Sequence, residues 1–218
     1  MDDKQFQKRI SETVVDIYPL DRLLPIETVY SIFEREYART DNKNVFFRER
    51  KFQRLREGYF SLFAAISLTD TSNKNHYLMF PGNPSNDVHI CYCKNKSKSE
   101  FVGYEFDIKE FTSFSDSFTG FIKKKIVPKV DIYNLIIATY RKIDGKDLRY
   151  LIDCLKFKDS DIKVWLVGNP FEENNDKDIS KVTIIDKDRI LYDKTINLNE
   201  WLDRRKPEII YQDTIRFK

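Results

Sequence analysis

Asn86-Asp87-Val88-His89-Ile90-Cys91 is followed, after a Lys-rich turn, by Phe101-Val102-Gly103-Tyr104-Glu105-Phe106-Asp107-Ile108-Lys109. Both stretches alternate apolar and polar positions, the pattern of strands with one face toward a core. Side chains on a strand point to opposite faces in turn. Asp107 and Lys109 therefore share a face while Ile108 turns into the core. An acid opens the first strand and an acid-x-lysine triple closes the second. Two carboxylates and an ammonium converging on one spot are the groups that metal-dependent phosphodiester hydrolysis uses.

Upstream of these strands the apolar spacing is helical. Phe6 to Ile17 is a first helical stretch, with Pro19 and Pro25 marking its exit. A second helix runs from Pro25 to about Arg39 with Val29, Ile32, Phe33 and Tyr37 recurring along it. Thr40-Asp41-Asn42 breaks the chain before a longer helix from about Val45 to Leu68. Its stripe is Phe52, Leu55, Tyr59, Leu62, Phe63 and Ile66, with Gly58 as a local weak point.

After Thr69 the period changes to that of strands. His76 to Phe80 is a short strand ended by Pro81-Gly82-Asn83-Pro84, and with Asp87–Cys93 and Phe101–Phe111 it completes a three-strand meander. Ser115 to Lys125 follows as a basic amphipathic helix. Tyr133 to Tyr140 is an apolar strand buried on both faces. Asp144-Gly145 opens a helix carrying Leu148, Leu151, Ile152 and Leu155, and Ile162 to Gly168 is another buried strand. This strand–helix–strand unit predicts a right-handed parallel crossover. Val182 to Tyr192 reads as a hairpin. A short helix near Leu198 to Arg205 and an extended segment from Ile209 to Phe217 are expected as an accessory layer.

Composition narrows the classes. At 218 residues, 33% charged and 41% hydrophobic, the chain suits one well-cored domain with an extension. No stretch approaches the roughly eighteen consecutive apolar residues of a membrane span, and the polar start Met1-Asp2-Asp3-Lys4 is not a secretory signal. No membrane association is expected. Cys91, Cys93 and Cys154 lack CxxC spacing; Cys91 and Cys93, on one face of a strand, read as buried thiols rather than zinc ligands, and a cytoplasmic location suits all three. No GxGxxG or GxxxxGK[ST] loop occurs, so no organic cofactor is expected. His76 and His89 are the two histidines, and no Ser/His/Asp or Cys/His nucleophile can be assembled.

The net charge of +3 says little, but its distribution says more. Lys43, Arg48, Arg50, Lys51, Arg54 and Arg56 face only Glu49 and Glu57 between residues 43 and 57. Lys94, Lys96 and Lys98 crowd a turn, and Lys123-Lys124-Lys125 sits on a helix. Such clusters suit phosphate, though for any single one a solvated surface is the plainer reading.

At these residues the chain resembles the PD-(D/E)xK nuclease superfamily. The order helix, three-strand meander, helix, strand, helix, strand is that of its restriction-endonuclease-like core, from about Val45 to Gly168. Asp87 matches the family's first acid, with Pro84 three residues earlier instead of immediately before it. Asp107-Ile108-Lys109 matches the triple, in the Asp version of some type II restriction endonucleases. The resemblance implies an α/β chain with a mixed-sheet nuclease core at 45–170. An N-terminal helical region at 1–44 would serve dimerisation or DNA reading. An accessory segment at 171–218 would carry the hairpin and extended tail, all in one compact unit.

It further implies an endonuclease of restriction or defence type that acts on DNA, as a homodimer where both strands are cut. Asp87 and Asp107 would hold one or two Mg²⁺ (or Mn²⁺), with the Ile108 carbonyl as a further ligand. Lys109 would orient or deprotonate the attacking water. Many members add a helix glutamate, for which Glu57 is the first candidate and Glu49 the second. Lys123 or Lys124, on the helix after the triple, would touch the scissile phosphate, and Arg54 is expected at the substrate as well.

Two plainer assignments stand beside this one. Acid-x-base spacing recurs, as at Asp147 and Arg149, so Asp107 and Lys109 also suit a cross-strand salt bridge in a noncatalytic module that binds nucleic acid or a protein. Gly168-Asn169-Pro170 suits a nucleotide crevice at a strand's end. Glu105 shares the face of Asp107 and Lys109, as an extra ligand or as a neighbour of Lys94–Lys98. His89 alternates with Asp87, at the substrate or as a half-buried polar residue.

Overall fold

The computed structural model of the chain describes residues 22–40, 49–82, 87–95, 100–111, 117–128, 134–140, 143–156, 162–168, 177–205 and 214–217. The helix expected over Phe6 to Ile17 lies outside them, as do Lys43, Arg48, Pro84, Lys96, Lys98 and Asn169-Pro170.

The described chain is a mixed α/β fold. Strand β1 (Leu24–Pro25) leads into helix α1 (Ile26–Ala38), and a single 3₁₀ turn (Arg50–Phe52) leads into helix α2 (Gln53–Ser72). Strands β2 (His76–Met79), β3 (Val88–Asn95) and β4 (Glu100–Phe111) form the expected antiparallel meander. Helix α3 (Phe118–Phe121) continues as a π-helix over Ile122–Ile126, then come β5 (Asn134–Thr139), α4 (Gly145–Lys156) and β6 (Lys163–Gly168). β4, β5 and β6 pair in parallel, as a strand–helix–strand unit requires. β7 (Ile179–Ile185) and β8 (Ile190–Asn197) make a hairpin longer than its apolar pattern predicted, followed by α5 (Leu198–Asp203) and β9 (Thr214–Phe217).

All the strands belong to one sheet, β1 to β8 in sequence order, with β9 beside the first part of β4. The tail is thus not a separate layer, because β9 pairs in parallel with Glu100–Gly103, the part of β4 that β5 leaves uncovered.

Each face of the sheet carries its own core. On one, α2 packs against Phe106, Ile108, Ile136, Trp165 and Ile184. On the other, α3, its π-turn and α4 cover Phe111, Leu135, Ile137, Val164 and Leu166. α2 is buried almost all round from Leu55 to Ser67, not along a single stripe, because α1 closes its outer side. There the Phe33 and Tyr59 rings stack at 4.4 Å.

Two helix boundaries differ from the sequence pattern for local reasons. Glu49 is extended (φ −80°, ψ 136°), so α2 proper begins at Gln53, well after Val45. Its far end runs on to Ser72 and is closed by Asn73 in the left-handed region (φ 53°), whose N–H reaches Thr69 O at 2.9 Å. In the π-turn the Val127 N–H bonds Ile122 O at 3.0 Å, which keeps Ile122 and Ile126 buried and leaves Lys123–Lys125 exposed.

Candidate active site

β3 and β4 pair with Val88 opposite Phe106, and one step beyond that pair Asp87 stands across from Asp107. The Asp87 N–H bonds Phe106 O at 3.2 Å, and its carboxylate Oδ2 accepts the Ile108 N–H at 2.6 Å. Asp87 therefore holds the strand end with backbone and side chain together. Ile108 is buried under α2, so Asp107 and Lys109 emerge on the opposite face, as strand alternation predicted.

Lys109 gathers the site. Its Nζ lies 3.8 Å from Asp87 Oδ2 and 3.6 Å from Asp107 Oδ2, and it donates to Ile108 O at 3.0 Å. The three groups are neither open nor sealed: the side chains of Lys109, Asp87 and Asp107 are 23%, 28% and 14% exposed. At that burial an ion pair is screened far less than on a free surface. The structure thus brings together the three residues on which the sequence expectation chiefly rested.

Glu57 comes from α2, with its carboxyl accepting from Gln53 Nε2 at 2.8 Å and from Arg54 at 3.4 Å. Burial pushes its pKa up to about 7, and the charge of Asp87 pushes in the same direction. A group poised there exchanges its proton at neutral pH. Arg54, expected at the substrate, stands beside Asp87 with its side chain 21% exposed. Its guanidinium donates to Asp87 O at 2.9 Å and Pro81 O at 3.0 Å, so it ties α2 to the chain entering β3.

The other expected residues are more loosely placed. Lys123 and Lys124 are exposed on the π-turn, with Lys123 over the Tyr150 ring at 5.9 Å. Glu105 stands opposite His89 in the β3–β4 pairing, with its carboxylate 3.9 Å from the imidazole Nε2. Glu49 pairs with Lys51 at 2.6 Å, while its carbonyl receives Arg56 at 2.9 Å.

Two supports had not been anticipated. Gln53 lies one helical turn before Glu57 and holds its carboxyl, a spacing that could have been read. Arg56 pairs with Glu110 at 2.9 Å, and Tyr140 OH donates to Glu110 at 3.0 Å. That buried network fixes α2 to β4 beside the triple across 54 residues, and nothing local in the sequence signals it.

Among the described residues no group of three or more His, Cys, Asp or Glu side chains is gathered closely enough to hold a metal ion. The donor chemistry nonetheless fits a hard divalent cation. Asp87, Asp107 and the Ile108 carbonyl present oxygens to one point, and the Lys109 ammonium is the cation now among them. Comparison with models of known families, with curated proteins and with solved structures finds no match to this chain.

Proposed function

We propose that the chain is a Mg²⁺-dependent endonuclease that hydrolyses DNA phosphodiester bonds, of the restriction or defence type, built on a restriction-endonuclease-like core. The observation that carries this is the convergence of Asp87, Asp107 and the Ile108 carbonyl on Lys109 Nζ at one strand end. The element order from α2 to β6 supports it, being the helix, meander, helix, strand, helix, strand of that fold. Asp87, Asp107 and the Ile108 carbonyl would hold the metal, which when bound supplies charge to offset the anion developing on phosphorus. Lys109 would orient the attacking water through the same ammonium that now bridges the acids. Glu57, poised near neutrality beside Asp87, is suited to take up or release a proton at that end of the sheet. Lys123 and Lys124 would meet the DNA backbone.

A second function, a noncatalytic module binding nucleic acid or protein, is favoured by one observation: the Lys109 ammonium already bridges both aspartates as a structural ion pair. Plasmid DNA incubated with the full chain in Mg²⁺, Mn²⁺ or EDTA separates the two. The nuclease proposal expects metal-dependent cutting that Asp107→Ala and Lys109→Ala each reduce by about 100-fold or more, the cost of a few kcal/mol of transition-state stabilisation. DNA that shifts in a gel without being cut, with Asp107→Ala shifting it equally, supports the second function and sinks the first.

A further inference from the structure

A cavity of about 250 Å³ opens far from the acids, between the start of α1, the turn into β2 and the end of α5. β2 and β3 run antiparallel, with Met79 opposite His89 and His76 opposite Tyr92. His76 therefore sits at the other end of the strands from Asp87. The polar wall consists of Glu27, Asn75, His76, Arg204 and Arg205, with Trp201 beside them.

The protonation of His76 follows from its partners. Nδ1 is 2.9 Å from Lys74 O and 3.2 Å from Thr69 Oγ1. A carbonyl only accepts, and the Thr69 hydroxyl gives its own proton to Ala65 O at 2.9 Å, so Nδ1 carries the hydrogen. The residue is 4% exposed, and burial holds its pKa down to about 4, which leaves the ring neutral at pH 7. Nε2 is then an acceptor. Among the described residues both hydrogen bonds of the ring fall on Nδ1, so Nε2 is the polar atom that His76 has left to offer the cavity.

The arginines supply the opposite chemistry. Arg205 donates to Asn75 Oδ1 at 2.7 Å and lies 4.2 Å from the Trp201 ring centroid. These contacts orient its guanidinium without neutralising it, since no described carboxylate pairs with Arg205. Among the described residues Arg204 meets Glu200, at 3.5 Å and with both side chains largely exposed, a pairing of little strength. The first turn of α1 adds N–H groups that no side chain caps. The cavity thus offers cationic donors together with an acceptor, His76 Nε2. A ligand that satisfies both must carry anionic oxygens and a proton of its own. Hydrogen phosphate does, and sulfate at neutral pH has oxygens only. At roughly 30 Å³ per water-sized volume, the space exceeds a phosphate ion and leaves room for part of an ester.

We propose that this cavity binds a protonated phosphate group, held through its oxygens by Arg204 and Arg205 and through its P–OH proton by His76 Nε2. The site is independent of the β3–β4 acids.

The test is titration of the full chain at pH 7 with inorganic phosphate, sulfate and ribose 5-phosphate at matched ionic strength, by calorimetry and by Trp201 fluorescence. Phosphate is expected to bind saturably and sulfate at least about tenfold more weakly. Ribose 5-phosphate binding tighter than phosphate marks an ester as the natural source, and the reverse order marks the free ion. Arg204→Gln with Arg205→Gln is expected to weaken phosphate about tenfold or more while leaving the ligand-free unfolding midpoint in place. His76→Gln supplies a donor as well as an acceptor, and should bring sulfate to within about threefold of phosphate. Absence of saturable phosphate binding, sulfate equal to phosphate on the unaltered chain, or full affinity in the double-arginine variant would each overturn the proposal. Should His76→Gln not fold, the phosphate–sulfate contrast and the arginine variants still decide it.

Discussion

Asp87 Oδ2 accepts the backbone N–H of Ile108 at 2.6 Å, so the first acid of the candidate site is also the pin between the start of β3 and the end of β4. The two roles can be separated. Asp87→Asn keeps an oxygen that can accept the Ile108 N–H and removes the charge facing Lys109. Asp87→Ala removes both. A hydrogen bond to a charged group contributes about 1.5–3 kcal/mol. Urea unfolding should therefore show Asp87→Ala destabilised by about that amount and Asp87→Asn by clearly less, while DNA cleavage is lost in both. Equal destabilisation of the two variants would show that the charge, not the pin, matters for folding.

Glu57 and His76 should give opposite and nearly cancelling contributions to stability against pH. Glu57 rises from 4.5 to about 7 on folding, from its burial and then from Asp87. Between those values the folded chain holds the extra proton, so stability from this group falls as pH rises. His76 drops from 6.5 to about 4, mainly by burial, with Lys74 and Arg205 nearby. There the unfolded chain holds the extra proton, and stability falls as pH is lowered through that window. Each shift corresponds to at most about 3–4 kcal/mol. The unaltered chain should be nearly flat in stability from pH 4.5 to 6.5. Glu57→Gln should unmask a loss toward acid, and His76→Gln a gain toward acid. Thermal melts across that range decide it, and parallel profiles for the two variants would refute the assignment.

The main lines of the fold could be read because strand and helix periods persist over whole elements: the meander, the two buried strands and α1 stand where the apolar spacing put them. The Asp87, Asp107 and Lys109 cluster could be read because alternation along β4 fixes which side chains share a face. What escaped depends on contacts distant in sequence or on a single backbone angle. The extended Glu49 sets the start of α2, and the wider winding at Ile122–Ile126 has no compositional mark. The tether of Arg54 depends on where Pro81 and Asp87 come to lie, information its own basic run does not contain. β9 found its place because β5 covers only half of β4, a property of the sheet and not of the tail.

Arg56 and Glu110 form a buried pair whose loss on one side should cost more than its loss on both. Their side chains are 7% and 16% exposed, and Tyr140 OH completes the carboxylate at 3.0 Å. Removing one member leaves a charge without a partner in low dielectric, typically about 3–5 kcal/mol. Arg56→Met should show a destabilisation of that size in urea, and Arg56→Met with Glu110→Leu substantially less. Tyr140→Phe should cost about 1 kcal/mol. Because Arg56 adjoins Glu57, the single variant should also lower cleavage, and a stable but inactive double variant would mark the pair as a positioning device for α2.

Lys109 and a divalent cation should compete for the same oxygens. The ammonium now sits among Asp87 Oδ2, Asp107 Oδ2 and Ile108 O. Lys109→Met withdraws that charge, leaving two carboxylates facing each other and favouring any cation that can replace it. In EDTA the variant should unfold at a lower temperature than the unaltered chain. Added Mg²⁺ should raise the midpoint of Lys109→Met more than that of the unaltered chain, by about 1.4 kcal/mol once free Mg²⁺ is tenfold above its Kd. Asp107→Asn in the Lys109→Met background should abolish the gain, and NaCl at the same ionic strength should not reproduce it. If Mg²⁺ stabilises the Asp107→Asn background as well as Lys109→Met alone, the ion binds elsewhere. The Asp87, Asp107 and Lys109 cluster is then a structural salt bridge, and the nuclease proposal loses its metal site.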